Sequence, residues 1–268
     1  MSNLSETFSG RDPRQKIFFC KSADAKTIRI ENLTLIRPDS RIPTLQDSPK
    51  LVENINLELK RGDRLAITGA NGTGKSTLLR GLVGFWPWGE GKITMPSAIK
   101  TMPLPQKEFI SDLPFREALS YAEPSTTYSE DELRAVLKAV RLDDRLMKYM
   151  DGESITGAAL QRELSGGEKQ RFRFAGILLR KPDILIMDEV TSSLDEETGL
   201  ALYKLITDVL PKETILISVI HRKELLPFHN MHAEIKNRQL TVKSLVNGVE
   251  QGHCVTPCAH CSISPRPL

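Results

Sequence analysis

Gly69-Ala70-Asn71-Gly72-Thr73-Gly74-Lys75-Ser76-Thr77 decides how the rest of this chain is read. The stretch matches the P-loop pattern G-x-x-x-x-G-K-[ST], and its flanks suit that pattern. Arg64-Leu65-Ala66-Ile67-Thr68 before it is a short apolar run of the buried-strand kind, and Thr77-Leu78-Leu79-Arg80-Gly81-Leu82-Val83 after it has helical apolar spacing. Glycines let the backbone bend around a polyphosphate, so that successive N–H groups and a helix N-terminus face its anionic oxygens. Lys75 would then reach the β- and γ-phosphates, and the Ser76 hydroxyl would ligate Mg²⁺. Residues 69–77 are read as a nucleotide-binding loop.

Composition narrows the setting. The 268 residues suffice for one sizeable core, or one core with a small subdomain. A net charge of +3, with no long Lys/Arg run, argues against a nucleic-acid partner. No apolar run approaches the ~18 to 20 residues that span a bilayer. Met1-Ser2-Asn3-Leu4-Ser5-Glu6-Thr7 lacks the charged start and apolar block of a secretory signal. Three of the four cysteines crowd into the C-terminal tail, which is no disulfide framework. The expectation is an intracellular, reducing setting in which any work at a membrane depends on a partner.

Along the chain, residues 1–26 read as a polar leader or linker, apart from Ile17-Phe18-Phe19. Residues 27–35 and 55–59 alternate apolar and polar side chains as half-buried strands do, which suggests a mixed sheet around the P-loop strand. Gly84 is a plausible stop for the P-loop helix. From Leu113 to about Met150 the pattern turns helical, with Ser129-Glu130-Asp131-Glu132 as an N-cap followed by acids. This region reads as a helical subdomain, about residues 107–180, inserted in the sheet core. Short apolar runs resume at 184–187, 214–219 and 233–235, with a helix near 196–210.

Leu164-Ser165-Gly166-Gly167-Glu168 is the second decisive stretch. Ser165 and Glu168 have capping-box spacing, so a helix should start there and run to Arg180 before Lys181-Pro182. Two glycines in the first turn weaken a helix unless something must approach that backbone closely, and an anion is the natural candidate. Ile184-Leu185-Ile186-Met187 then ends on Asp188-Glu189. A carboxylate at that strand end suits Mg²⁺ (Asp188), and its neighbour suits activation of water as general base (Glu189).

Together these stretches resemble the ATPase domain of ABC transporters over roughly residues 27–246. The interval between Lys75 and Ser165 leaves room for a compact helical subdomain, but not for the coiled-coil insertion of chromosome-maintenance ATPases. The resemblance implies an α/β fold of the P-loop NTPase, ABC-ATPase type, with a mixed sheet core, an antiparallel β subdomain and the inserted helices. It also implies ATP and Mg²⁺ as ligands, with Gly69, Ala70, Asn71, Gly72, Thr73, Gly74, Lys75, Ser76 and Thr77 on one nucleotide and Ser165, Gly166 and Gly167 on that of a partner. Ser76, Asp188 and Gln106 would serve the metal, Glu189 and Gln106 the attacking water, and His221 the γ-phosphate. Ser192-Ser193-Leu194-Asp195 resembles the loop linking the two sites of a dimer, and Asp195 is equally a helix N-cap.

Phe85-Trp86-Pro87-Trp88-Gly89-Glu90-Gly91-Lys92-Ile93 and Pro103-Leu104-Pro105-Gln106 are similar to the branch of SbmA/BacA-like and peroxisomal fatty-acyl-CoA transporters. That resemblance implies a second ATP-binding domain, with a homodimer favoured. It further implies a membrane-spanning domain or subunit that holds the chain at the cytoplasmic face. A soluble ABC ATPase of the iron–sulfur assembly or repair kind is the alternative. Phe109, Ile110, Leu113 and Phe115 either receive the membrane partner or fill the helical subdomain. Ile36-Arg37-Pro38 offers no aromatic to stack adenine near the first strand. His253, Cys254, Cys258, His260 and Cys261 place metal-ligating types together, but the reading favours a flexible tail over 247–268.

Overall fold

The computed structural model describes residues 5–7, 12–23, 25–97, 99–121 and 123–254. The chain runs through β1 (Ser5–Thr7), β2 (Gln15–Ser22), β3 (Ile28–Ile36), β4 (Lys50–Leu59), β5 (Arg64–Gly69), α1 (Lys75–Leu82), β6 (Gly89–Pro96) and β7 (Thr101–Leu104). Helices α2 (Phe115–Ser120), α3 (Glu130–Ala139), α4 (Asp143–Met150), α5 (Gly157–Glu163) and α6 (Gly166–Arg180) come next. β8 (Ile184–Asp188), α7 (Glu196–Val209), β9 (Ile215–Val219), β10 (Met231–Lys236), β11 (Gln239–Val246) and β12 (Val249–Cys254) follow.

Two sheets result. One has the order β1-β2-β6-β3-β4, the other β12-β11-β10-β5-β9-β8-β7. In the second, β10, β5, β9, β8 and β7 are parallel, while β11 and β12 turn back antiparallel. All five residues of β8 and of β9 are buried, the pattern of strands covered on both faces. β4 instead buries Val52, Ile55, Leu57 and Leu59 and exposes Asn56 and Glu58, because only one of its faces meets apolar side chains. One apolar cluster joins the first sheet, α1 and one face of the second; the other joins the helices α2–α7 to the opposite face.

The helix ends follow their sequence signals. Ser129 and Glu132 form a full capping box at α3, and Ser165 and Glu168 form another at α6. Gly84 takes φ 79° after α1. Its N–H donates to Gly81 O and that of Phe85 to Arg80 O, which satisfies two carbonyls the helix leaves open.

Both chain ends depart from expectation. Residues 15–22 of the supposed leader form β2, which pairs in parallel with β6 from Gln15↔Gly89 to Ser22↔Pro96. Ile17 and Phe19 are buried while Phe18 between them is exposed, an alternation masked by the polar residues around it. Residues 249–254 of the supposed flexible tail form β12 against β11. Backbone hydrogen bonding to a sheet neighbour needs little apolar content, so composition alone misreads such strands. Cys258, His260 and Cys261 lie outside the described residues.

Candidate nucleotide site

Four neighbouring parallel strands deliver the site. Ile67 in β5, Val219 in β9 and Asp188 in β8 stand level in register, and Leu104 in β7 stands level with Met187. The carboxyl ends therefore release Gly69, His221, Glu189 and Gln106 on one rim, where open α/β sheets form their crevices. Two backbone bonds tie that rim: Glu189 N–H to Val219 O at 3.3 Å and Ile220 N–H to Ile67 O at 3.1 Å.

The loop between β5 and α1 depends on glycine at two points. Gly69 has φ 146° and a Cβ there would stand 2.6 Å from Ile235 O; Gly74 has φ 99° and a Cβ would stand 3.1 Å from Leu51 Cβ. Gly74 caps α1 without a side-chain bond, and the first turn carries no acid. The N–H groups at that helix start are thus left for an anion. Lys75 is buried, and its Nζ donates to Gly69 O at 2.9 Å and Ala70 O at 3.1 Å. Thr73 Oγ1 donates to Ala70 O at 2.9 Å, while Asn71 and Gly72 are exposed.

Next to the loop stand two consecutive carboxylates with different surroundings. Ser76 Oγ donates to Asp188 Oδ1 at 2.9 Å. Burial pushes the Asp188 carboxyl up; the Ser76 hydrogen bond opposes this, and the neighbouring Glu189 charge adds to it. Glu189 sits at φ 52°, in the left-handed region. It accepts from Gln106 Nε2 at 2.9 Å and from His221 Nε2 at 2.6 Å. A carboxylate only accepts, so the Nε2 of His221 carries its proton in this contact. A hydroxyl and a carboxylate at hydrogen-bond distance are the oxygen donors that a hard dication takes, so Ser76 and Asp188 fit Mg²⁺.

A cavity of about 400 Å³ runs over the loop from Gln106 and Glu189 past Gly74, Lys75 and Ser76 to Leu51, Arg37 and Trp86. Trp86 is a residue that sequence reasoning missed at this site. Its Nε1 donates to Ile36 O at 3.1 Å, which seats the indole beside Arg37, and Trp88 packs on it edge-on with ring centroids 5.1 Å apart. The only sequence signal was the Trp86-Pro87-Trp88 string after the helix stop. Ser165, Gly166 and Gly167 do not line this cavity. At the start of α6, Ser165 Oγ and N–H both donate to Glu168 Oε2, at 2.8 and 2.9 Å. Burial pushes the Glu168 carboxyl up, but the bonds from Ser165 together with the Arg145 and Arg171 charges hold it below the usual carboxylate range.

Comparison with known proteins agrees with this geometry. The family model described as "ABC transporter" matches residues 52–192, more than half of the chain. The chain belongs to the ABC transporter ATP-binding family. It is 39% identical over 185 residues to an uncharacterized ABC transporter ATP-binding protein of Haemophilus influenzae, covering 69% of this chain and 30% of that protein. It is 29% identical over 223 residues to the human ATP-binding cassette sub-family D member 3, covering 79% and 31%. The structure of a bacterial Atm1-family ABC exporter with ATP bound shares the fold, with a TM-score of 0.66 at 24% identity over 82% of this chain and 39% of that one. The chain thus spans about a third of the length of these proteins. ABC ATP-binding domains bind and hydrolyse ATP, and they pair with a second such domain and a membrane partner.

Among the described residues, no helix is long and apolar enough to cross a membrane. The four residues considered for docking divide in two. Ile110 and Phe115 are each 4% exposed and belong to the core, which closes the docking reading for them. Phe109 is 66% exposed and Leu113 38%. Phe109 and Tyr121 border a groove of about 270 Å³, and Phe85 borders another of about 290 Å³; the two share Pro103, Leu104 and Pro105.

Proposed function

We propose that this chain is the ATP-hydrolysing half of a transporter motor, in which two copies pair head to tail on ATP and drive a membrane-spanning partner. The observation that carries the reading is the joining of Ser76 to Asp188 and of Gln106 and His221 to Glu189, beside the open start of α1. The triphosphate lies along residues 69–77, with Lys75 leaving the carbonyls of Gly69 and Ala70 for the β- and γ-phosphates. Ser76 and Asp188, with Gln106, would hold Mg²⁺, which when bound would supply neutralisation of the charge that builds on the phosphate oxygens. Gln106 and Glu189 hold the attacking water, and Glu189 takes its proton. The water oxygen bonds to the γ-phosphorus as the bond to the β–γ bridging oxygen breaks, giving ADP and phosphate. His221 keeps Glu189 aimed and lies beside the γ-phosphate.

At the other end of the cavity, Trp86, Leu51 and the Arg37 guanidinium flank the base. They take the place of an aromatic on the first strand. The exposed apolar residues Phe85, Phe109 and Tyr121 around Pro103–Pro105 suit a helix of the membrane partner, which would hold the chain at the cytoplasmic face. Neither copy completes a site by itself, because Ser165-Gly166-Gly167 stands apart from its own cavity.

Glu189→Gln tests the reading. The variant should bind ATP, turn over at least ~10²-fold more slowly and accumulate as a dimer in sizing columns. Ordinary turnover would remove Glu189 from its role.

A further inference from the structure

The loop that carries Gln106 makes a second set of contacts, away from the cavity. Ser193 Oγ donates to Glu108 Oε1 at 2.5 Å and accepts from Gln170 Nε2 at 2.8 Å. Gln170, in the second turn of α6, is 1% exposed, and its Oε1 has no hydrogen-bond partner among the described residues. Gln161 in α5 braces the same loop, accepting from Ile110 N–H at 2.9 Å and donating to Glu108 O at 3.4 Å. The start of α6 rests on this group: a Cβ on Gly166 would lie 3.4 Å from Ser193 Cβ and 3.7 Å from Glu108 Oε1. Three segments meet at one hydroxyl: the Gln106 loop, the loop after Glu189 and the helix begun by Ser165.

We propose that Glu108, Ser193 and Gln170 form a latch that positions the start of α6 relative to the Gln106–Glu189 pair. The half-site lent to a partner copy and the half-site kept then move as one body. The proposal rests on the nucleotide-driven reading above. Its physical basis is that, among the described residues, Ser193 is the single partner of the buried Gln170 amide and donates to a charged acceptor, the stronger kind of hydrogen bond. None of the three lines the nucleotide cavity, so they are positioning residues.

Ser193→Ala and Glu108→Ala break the latch, whereas Glu108→Gln keeps an oxygen that accepts from Ser193. Amide hydrogen exchange on the full chain without nucleotide should quicken by about tenfold at both 106–110 and 164–170 in the alanine variants, and stay unchanged at 75–82. ATP turnover should show kcat down about five- to tenfold with KM within about twofold, and the double alanine variant should be no worse than the weaker single. Glu108→Gln should stay within about twofold of the parent in both readouts. Exchange that quickens only in the mutated loop, multiplying losses, or Glu108→Gln as impaired as Glu108→Ala would overturn the latch. A parent chain without ATP turnover would count against the proposed function, while the exchange arm would still decide the latch.

Discussion

Two helix starts in this molecule look alike in sequence and differ in wiring. α1 begins at Gly74 with no side-chain cap and no acid in its first turn. α6 begins at Ser165 with a complete capping box, and Glu168 supplies the negative charge. An uncapped start forgoes about 1 kcal/mol, so a helix left open beside a buried lysine is one whose cap arrives from outside. α6 has settled its own N–H groups, yet it carries two glycines that the fold does not demand: a Cβ on Gly166 or on Gly167 would meet its nearest neighbour at 3.4 Å, ordinary contact. Under the proposed function, one helix start would hold a triphosphate and the other would meet the phosphate of a partner copy.

The sharpest way to break this comparison is to disable each start separately and then mix. Lys75→Ala should lower ATP hydrolysis by about 10²-fold or more, since the phosphates lose their principal cation. Gly167→Asp should do the same for a different reason. An acid in the first turn suits the helix but repels a phosphate at its N-terminus. Alone, each variant should be inactive. In an equal mixture, half of the dimers pair unlike copies and hold one intact composite site, so about a quarter of the parental rate should return if sites act independently. No recovery on mixing would mean that each copy uses its own α6 start.

A smaller effect should separate the two carboxylates. The folded chain holds the Asp188 proton more tightly than the unfolded chain does. Stability without nucleotide is therefore greatest below the ordinary carboxylate range and is lost as pH rises through that range to the raised folded value. Asp188→Asn removes this loss and can still accept from Ser76. Its Tm at neutral pH should exceed the parent's by about 2–4 °C, an order-of-magnitude figure for a chain of this size, with the gap closing at acid pH. Hydrolysis should be lost. A gap that does not change with pH would assign the gain to something other than the buried charge.

What the sequence made legible follows from the range of each interaction. The P-loop, the two capping boxes and the Gly84 stop are written within a few consecutive residues, and local chemistry suffices to read them. The ABC motifs likewise gave the family. Trp86 was illegible because its place depends on a bond to Ile36 on another element, and the Glu108–Ser193–Gln170 group because it joins three segments far apart in the chain. β2 and β12 escaped for a different reason. Paired to sheet neighbours through the backbone, β12 is mostly polar and β2 carries only a short apolar run between polar flanks, so both resemble linker in composition. The docking candidates show the same limit, since Phe109 and Ile110 are adjacent and equally apolar, and only packing separates the exposed one from the buried one.

The finest distinction between the two helix starts lies in the glycines of α6. Gly166 is the first residue of the helix, and alanine there would relieve part of the backbone-entropy cost, up to about 1 kcal/mol in a helix interior and less at this end. Because the added methyl group meets Ser193 Cβ at 3.4 Å and Glu108 Oε1 and Ser193 Oγ at 3.7 Å, all ordinary contact, Gly166→Ala should leave Tm unchanged or raised by a degree or two, on the order expected for a few tenths of a kcal/mol. If the head-to-tail pairing proposed above holds, hydrolysis should nevertheless fall several-fold, and ATP-driven dimerisation with it, because the methyl group is added to the helix start that would face a partner's phosphate. A merely structural glycine gives the opposite pattern, with stability lost and turnover kept. Measuring Tm and turnover on this one variant therefore tells whether the glycines of α6 serve the fold or the partner.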